Sequence, residues 1–411
     1  MRLRDFVQTH TLYTMKPQRI TMLAPFGIRP KGTLLARMLP LAGALMRRGY
    51  AVTIIAPPVQ NPEDAQTRVD HSGVPVVHTP APTLPGAFGV AQQVWALARA
   101  AHAEQPNLVH LFKPKGYSGL ATLLLRTLHP HIPLVVDTDD WEGWGGWNDM
   151  LPYPYLAKLL FAWQERDLPR RAAAVTVASR TLQTQVWGRG VEPHRVMYVP
   201  NGIEGSGVGQ LKTQHSKLKT LLLYTRFWEF DLPPLVTALV AIHQQRPDVR
   251  LLVVGKGERG EEVELRRLAG RAGIGAMIDD RGWAQPDDMP GYFAQSDVAL
   301  YPIADRLINR AKSPAKLLEQ MAAGLPIVAM HVGEVGAFIE HNQSGLLVPP
   351  GDPAAFARAV VTLLGDPQLR AQLGAGAQQR VATHFTWEHA ANAVEQAYGV
   401  ATCSRIPLSD I

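Results

Sequence analysis

The chain has 411 residues, 46% hydrophobic and 18% charged, which allows two or three domains with full cores and excludes a disordered, collagenous or low-complexity chain. Its net charge is +6 and its one cysteine is Cys403, which excludes an intramolecular disulfide framework and a cysteine-based metal site and suits a reducing compartment. Basic residues are scattered, with no Lys/Arg block interleaved with aromatics, so nucleic acid is not an expected partner.

The opening MRLRDFVQTHTLYTMKPQR carries charge but no apolar core, so it does not read as a secretory signal. Met15 is a second candidate start, with 1–15 an appendage. No apolar run reaches the roughly 18 residues of a membrane span, and the expected location is cytoplasmic. Short apolar runs then predict strands at 20–25, 51–56, 75–78, 107–112, 133–137, 173–178 and 195–199. Amphipathic stretches at 34–48, 90–104, 120–128 and 155–166 separate several of them. Val/Ile/Leu strands with helical crossovers imply a parallel sheet covered on both faces.

The alternation restarts at 220–224, 249–254, 276–279, 298–301, 326–329 and 346–348. Thirteen strands are too many for one compact doubly wound sheet, so two domains are the simpler reading. The seam falls at 199–209, where Pro200-Asn201-Gly202 makes a turn and Gly205, Gly207 and Gly209 supply spacing. The expected units are 1–200 and 201–385. A terminal segment, 386–411, has a helical pattern at 387–398 that follows the completed second sheet and is expected to cross back to the first.

Two open parallel sheets facing each other hold ligands at their strands' carboxyl ends. In AKSPAKLLEQMAAGLP (311–326), Ser313 suits an N-cap and Pro314 a first helical residue, while Gly324 and Pro326 end the helix. Leu317, Leu318 and Met321 make an apolar face. A helix start beside Lys312 and Lys316 is a seat for phosphate, and Glu319 could accept hydrogen bonds from ribose hydroxyls. The plainer alternative is a capped surface helix with a Lys316–Glu319 pair. DTDDWEGWGGWND (137–149) ends a buried strand with Asp137, Asp139 and Asp140, then spaces Trp141, Trp144 and Trp147 with small residues. That pattern suggests a pocket wall for a sugar or lipid; carboxylates capping a helix beside a structural tryptophan cluster are the alternative. In KPKGYSG (113–119), Lys113, Lys115 and Tyr117 could meet an anionic acceptor or merely solvate a helix start. The helix pattern at 150–171 is amphipathic and basic at its end, fit for a membrane surface or for packing on the sheet.

The 311–326 stretch resembles the donor-binding motif of family-4 GT-B glycosyltransferases, a large retaining group. In that motif two glutamates stand eight positions apart before a small-residue helix and Gly-x-Pro. The second matches Glu319; the first falls on Ala311. The stretch matches instead a Lys-x-Ser-Pro-x-Lys form found in part of the family. VPNGIE (199–204), LLVVGKGERGEEVELRRLAGRAGI (251–274), RGWAQPDDMPGYFAQSDVALYPI (281–303) and SGLLVPPGDPAAFARAVVTLL (344–364) are similar to other family segments. The likeness is strong over about 195–400 and looser over 19–195.

The resemblance implies an α/β GT-B fold: two Rossmann-like doubly wound domains facing a cleft, with the donor in the second. It implies retaining, metal-independent transfer from a nucleotide diphosphate sugar to a sugar, lipid-linked or small-molecule acceptor, without a cofactor. Arg226 matches the family's diphosphate-binding arginine. The partner lysine's position holds Asp231, which would repel a diphosphate, so Lys312 or Lys316 is expected to replace it. FGIRPKG (26–32) looks like the N-domain loop that approaches the donor phosphates, through Gly27, Arg29, Lys31 and Gly32. The implied donor set adds Trp283, Ser313, Pro314, Leu317 and Glu319. Asp139 and Asp140 stand where the family often has His-Asp near the transferred sugar, and with Arg226 form the catalytic set. Lys113, Lys115, Tyr117, Trp141 and Trp144 are the acceptor candidates, with peripheral contact at the inner membrane face as a further expectation. The rival readings are a non-catalytic nucleotide-sugar-binding or scaffold protein, suggested by Ala311 and Asp231, and a metal-binding Asp-x-Asp of GT-A type at 137–139. A nucleotide-sugar epimerase has no separate signal.

Overall fold

In the first half, short and mostly apolar runs form one sheet with a polar edge strand, β3: β1 (Arg19–Leu23), β2 (Ala51–Ala56), β3 (Arg68–His71), β4 (Val74–His78), β5 (Leu108–Phe112), β6 (Leu134–Thr138), β7 (Ala174–Val177) and β8 (Val196–Tyr198). The computed structural model describes residues 18–28, 32–204 and 218–403. Met15, Arg29, Lys31, Gly205, Gly207 and Gly209 lie outside these residues. The sheet order is β3-β4-β2-β1-β5-β6-β7-β8, parallel except for the β3–β4 pair. β5 and β6 are buried along their whole length, because helices cover both faces.

The second sheet contains β9 (Lys219–Tyr224), β10 (Val249–Val254), β11 (Ile278–Asp280), β12 (Val298–Tyr301), β13 (Ile327–Met330) and β14 (Leu346–Val348). Its order is β11-β10-β9-β12-β13-β14 and every pair is parallel. One apolar core runs through it from Leu221 to Phe385. In both sheets the order reverses beside the first strand, β1 or β9, and the crevice at such a reversal is where ligands bind in open parallel sheets.

The helix Trp387–Cys403 leaves the second unit and packs on the first. Trp387, Ala390, Ala391, Val394, Ala397, Tyr398 and Ala401 share one core with Ile20, Met22 and Leu41. At roughly 1.5–3 kcal/mol per large buried side chain, Val394 alone is a substantial anchor. The outgoing and returning segments run side by side: Ile203 N donates to Phe385 O at 2.9 Å and Trp387 N to Ile203 O at 3.1 Å. Gly202 is required there, since a Cβ would lie 2.6 Å from the Thr386 carbonyl carbon.

Two local features aim residues at the cleft. After the loop following β1, the chain forms a π-helical turn, Leu34–Met38, then the α-helix Leu39–Arg47. Pro40 has no N–H to return to the preceding turn, so the ladder widens there. The wide turn carries Arg37 inward until it is 1% exposed. On β5, His110 is fully buried between Tyr398, 2.9 Å from Nδ1, and Thr176, 3.3 Å from Nε2. Burial lowers its pKa to about 4. A base whose folded pKa is depressed stabilises the fold above its unfolded value, roughly 6.5, and loses that contribution as pH falls towards 4. The imidazole should therefore stay neutral at pH 5 by ¹⁵N NMR while the chain remains folded; a ring that titrates near 6.5 would show that this packing is wrong.

Candidate active site

At the carboxyl end of the first sheet the carboxylates of 137–142 are distributed by depth. Asp137 is fully buried and held bidentately by Arg37, at 2.9 Å from Nε and 2.7 Å from Nη2. Thr176 Oγ1 donates to it at 2.6 Å. A buried pair offsets its desolvation cost only with such complete hydrogen bonding. Asp139, nearer the cleft, accepts from Thr33 Oγ1 at 2.9 Å. Its Oδ1 accepts no hydrogen bond among the described residues. Burial raises its pKa to about 6; Asp140 and Asp137 push the same way, while Lys113 and Arg37 oppose them.

Lys113 is the hub of this end. Its Nζ lies 2.6 Å from Asp140, 3.1 Å from Glu142 and 3.7 Å from Asp139. Burial alone would lower its pKa, but the carboxylates outweigh that and hold it well above its ordinary value. Lys115 is buried, pairs with Glu142, donates to Tyr153 Oη at 3.2 Å and lies under the rings of Tyr153 and Phe161. The carboxylates thus converge on ammonium groups. Among the described residues no group of three or more His, Cys, Asp or Glu is arranged to hold a metal ion.

On the second unit, β9 ends at Tyr224 and the chain turns sharply: Phe227, 1% exposed, sits at φ +68°. A bulky residue in the left-handed region costs on the order of 1–3 kcal/mol and persists where packing imposes it. The turn presents Arg226 and Glu229 beside the helix Ala315–Ala322. Lys312 Nζ contacts Glu229 Oε1 at 2.6 Å and lies 4.6 Å from the centre of the Trp228 ring. Lys316 Nζ lies 4.3 Å over the Tyr224 ring. Burial lowers the Lys316 pKa to about 8, with Arg226 and Lys312 adding to the effect against Glu229 and Glu319. Glu319 hydrogen-bonds with Tyr224. Three cations therefore gather at a helix N-terminus, which favours anions.

Contacts across the cleft bring the two ends together. Trp147, the first residue of the short helix Trp147–Met150 that follows β6, meets Trp228 with centroids 5.1 Å apart, and Trp228 carries Lys312 on its ring. Asn201 donates from N to Ser313 Oγ and from Nδ2 to Ser313 O, both at 2.8 Å; its Oδ1 accepts from Arg37 at 3.0 Å. A hydrogen-bonded chain thus runs from Asp137 through Arg37 and Asn201 to the residue before Pro314. Glu334 accepts from Arg180 N at 2.6 Å and from Tyr198 Oη. Ala311 is fully buried in the apolar cluster of Val177, Ala178 and Leu182.

Several sequence expectations need correction. Ser313 does not cap its helix: Pro314 is the N-cap residue, with no side-chain cap bond, and the hydroxyl serves Asn201. Leu317 is fully buried in the second core, so its side chain cannot reach a ligand. Gly27 already gives its N–H to Val59 O at 3.2 Å. A Cβ there would lie 2.8 Å from the Val59 carbonyl oxygen, which favours glycine. Lys113 and Lys115 are buried against carboxylates and are not open to an anionic acceptor. Tyr117 packs against the core of the sheet, as does Trp141, whose Nε1 donates to Trp144 O at 2.8 Å. Asp231 pairs with Arg306 at 2.5 Å, so its charge is met. Lys316 and Glu319 do not form the simple surface pair considered above. Gly32, Trp144 and Trp283 are exposed. Thr33, Glu142 and Glu229 were not read from sequence. The acid directly after TRFW, with two motif lysines elsewhere in the same unit, is the available signal for Glu229.

Comparison with known proteins agrees with this architecture. Residues 32–202 match the family model described as glycosyl transferase 4-like domain. Residues 219–366 match the model described as glycosyl transferases group 1. A phosphatidyl-myo-inositol mannosyltransferase of Mycobacterium leprae is 26% identical over 94% of this chain and 98% of its own length. A D-inositol 3-phosphate glycosyltransferase of Jonesia denitrificans is 34% identical over 38% of this chain, spanning only 37% of that relative. Sucrose-phosphate synthase from Thermosynechococcus elongatus superposes with a TM-score of 0.72 at 21% identity, covering 94% of this chain and all of that one. Anabaena HepE in complex with UDP and glucose gives 0.67 at 20%, covering 95% of this chain and 100% of that one. Each half of the chain thus matches a glycosyltransferase family model, and the whole has the two-domain GT-B fold.

Proposed function

We propose that this protein moves a sugar from a nucleotide diphosphate sugar to a hydroxyl acceptor with retention of anomeric configuration and without a metal. The observation that carries the reading is the convergence of Arg226, Lys312 and Lys316 on the start of the helix Ala315–Ala322. That is a leaving-group clamp for a diphosphate. Glu319, held by Tyr224, stands a turn further on for the ribose hydroxyls. Asp139 orients the acceptor hydroxyl, which attacks the face the diphosphate leaves. The contacts from Asn201 to Ser313 and from Trp147 to Trp228 support a closed cleft that limits hydrolysis.

The acceptor in this reading carries an apolar part. Leu84, Phe88, Tyr155 and Leu156 are all more than half exposed. They flank the starts of the helices Gly86–Ala103, which follows β4, and Tyr155–Arg171, which follows β6 and the short helix Trp147–Met150, so both starts come after the carboxyl ends of strands of the first sheet. The mannosyltransferase relative named for phosphatidyl-myo-inositol supports the same direction. Among the described residues no helix is long and apolar enough to cross a membrane, so contact with the inner membrane face would be peripheral.

The test is a thermal-shift screen over uridine-, guanosine- and adenosine-diphosphate sugars, followed by a transfer assay in excess EDTA with acceptors bearing or lacking an alkyl chain. A true donor should stabilise by roughly 2.7 kcal/mol at a hundredfold excess over Kd. Transfer should survive EDTA, give product of the donor's anomeric configuration and favour the alkylated acceptors. Loss of turnover restored by Mn²⁺ would overturn the metal-free reading; inverted product would overturn retention; indifference to the alkyl chain would overturn the apolar acceptor.

A further inference from the structure

Glu229 is an acid placed among cations that a diphosphate would need. Its Oε1 lies 2.6 Å from Lys312 Nζ. Its Oε2 accepts from Thr225 Oγ1 at 3.2 Å. It is 9% exposed. Burial alone would raise its pKa, but Lys312, Lys316 and Thr225 hold it below its ordinary value, so it is an anion across the working pH range. Its main chain is fixed: Glu229 O accepts from Ala304 N at 2.9 Å and from Asn309 Nδ2 at 2.8 Å. Only the side chain is left to move.

We infer that the Glu229 carboxylate is an internal stand-in for the donor's phosphate, holding Lys312 until the nucleotide arrives and taking it back when the nucleoside diphosphate leaves. The inference rests on the diphosphate clamp proposed above. An open cluster of three cations in a partly buried site is costly without a counter-ion, because each charge is deprived of water. Glu229 removes that cost in the empty site. It also sets a threshold: an anion must outcompete a tethered carboxylate, which excludes weak inorganic anions and weakens the hold on the product. Displaced from Lys312, the carboxylate keeps a partner, because Thr225 Oγ1 already donates to its other oxygen at 3.2 Å.

The alternative is a permanent ion pair that aims Lys312 at the phosphate, and the two predict opposite signs. Under the stand-in, Glu229→Gln should bind UDP, GDP or ADP, whichever wild type prefers, about tenfold more tightly, with a similar gain for inorganic pyrophosphate. Turnover at saturating donor should fall as product leaves more slowly. Weaker nucleotide binding by the folded variant, or unchanged affinity, would overturn the inference. A second measurement does not depend on the variant folding. In the wild-type nucleoside diphosphate complex, the Glu229–Lys312 contact should open beyond salt-bridge distance with phosphate against Lys312; a contact that stays closed overturns the stand-in. If wild type binds no nucleoside diphosphate, the proposed function fails first. If wild type binds and these signs are absent, only the stand-in fails.

Discussion

Replacing Arg226 with Ala should weaken nucleoside diphosphate binding by about 1.5–3 kcal/mol, the usual worth of a charge-assisted hydrogen bond, or roughly tenfold to 150-fold in Kd. Arg226 follows Thr225 at the end of β9, ahead of the strained Phe227, and acts electrostatically on both Tyr224 and Lys316. The loss should be a loss of donor and product affinity together, because the guanidinium meets phosphates present in both. Isothermal titration with the preferred nucleoside diphosphate measures it directly. The same titration on wild type should weaken as pH rises through about 8, where Lys316 gives up its proton, since an anion binds the charged form. Unchanged affinity in Arg226→Ala would remove the diphosphate from this site.

Asp139→Asn should act on the other half of the reaction. The carboxylate is anchored by Thr33 on one oxygen, while the other is buried without a hydrogen bond among the described residues. An acceptor hydroxyl would complete it. Because burial raises the Asp139 pKa to about 6, the anionic form that accepts the hydroxyl proton gains population as pH rises through that value. Wild-type kcat should show an acid limb near pH 6, and Asp139→Asn should lower kcat by about 100-fold while abolishing that limb. Donor Kd should stay within about twofold. A variant that instead loses donor binding and thermal stability in parallel would mark Asp139 as a structural carboxylate of the Lys113 cluster.

What the sequence revealed, and what it hid, follows from the range of the interactions. The buried strands were readable because Leu, Val and Ile fill them. β3 was missed because Arg68-Val69-Asp70-His71 forms an exposed antiparallel edge, with no apolar run to announce it. The seat for phosphate at Lys312–Lys316 was visible as a local pattern. Ser313 reads locally as a cap because that role needs only its neighbours, whereas its real partner, Asn201, is 112 positions away. Lys113 and Lys115 looked available because the acids that hold Nζ stand 27 positions later, at Asp140 and Glu142. Ala311 looked like a broken motif. In the fold it is an apolar contact with the first unit, and a glutamate there would have to be buried among Val177, Ala178 and Leu182.

The returning helix Trp387–Cys403 carries a consequence for biosynthesis. Its apolar face packs on the helix Leu39–Arg47 and on β6, β7 and β8, and Tyr398 closes over His110. Until that helix emerges from the ribosome, the apolar surface it covers stays open. The second sheet and its core, all within 218–385, draw on one uninterrupted stretch. The half made later can therefore finish folding before the half made first, which must wait for the helix Trp387–Cys403.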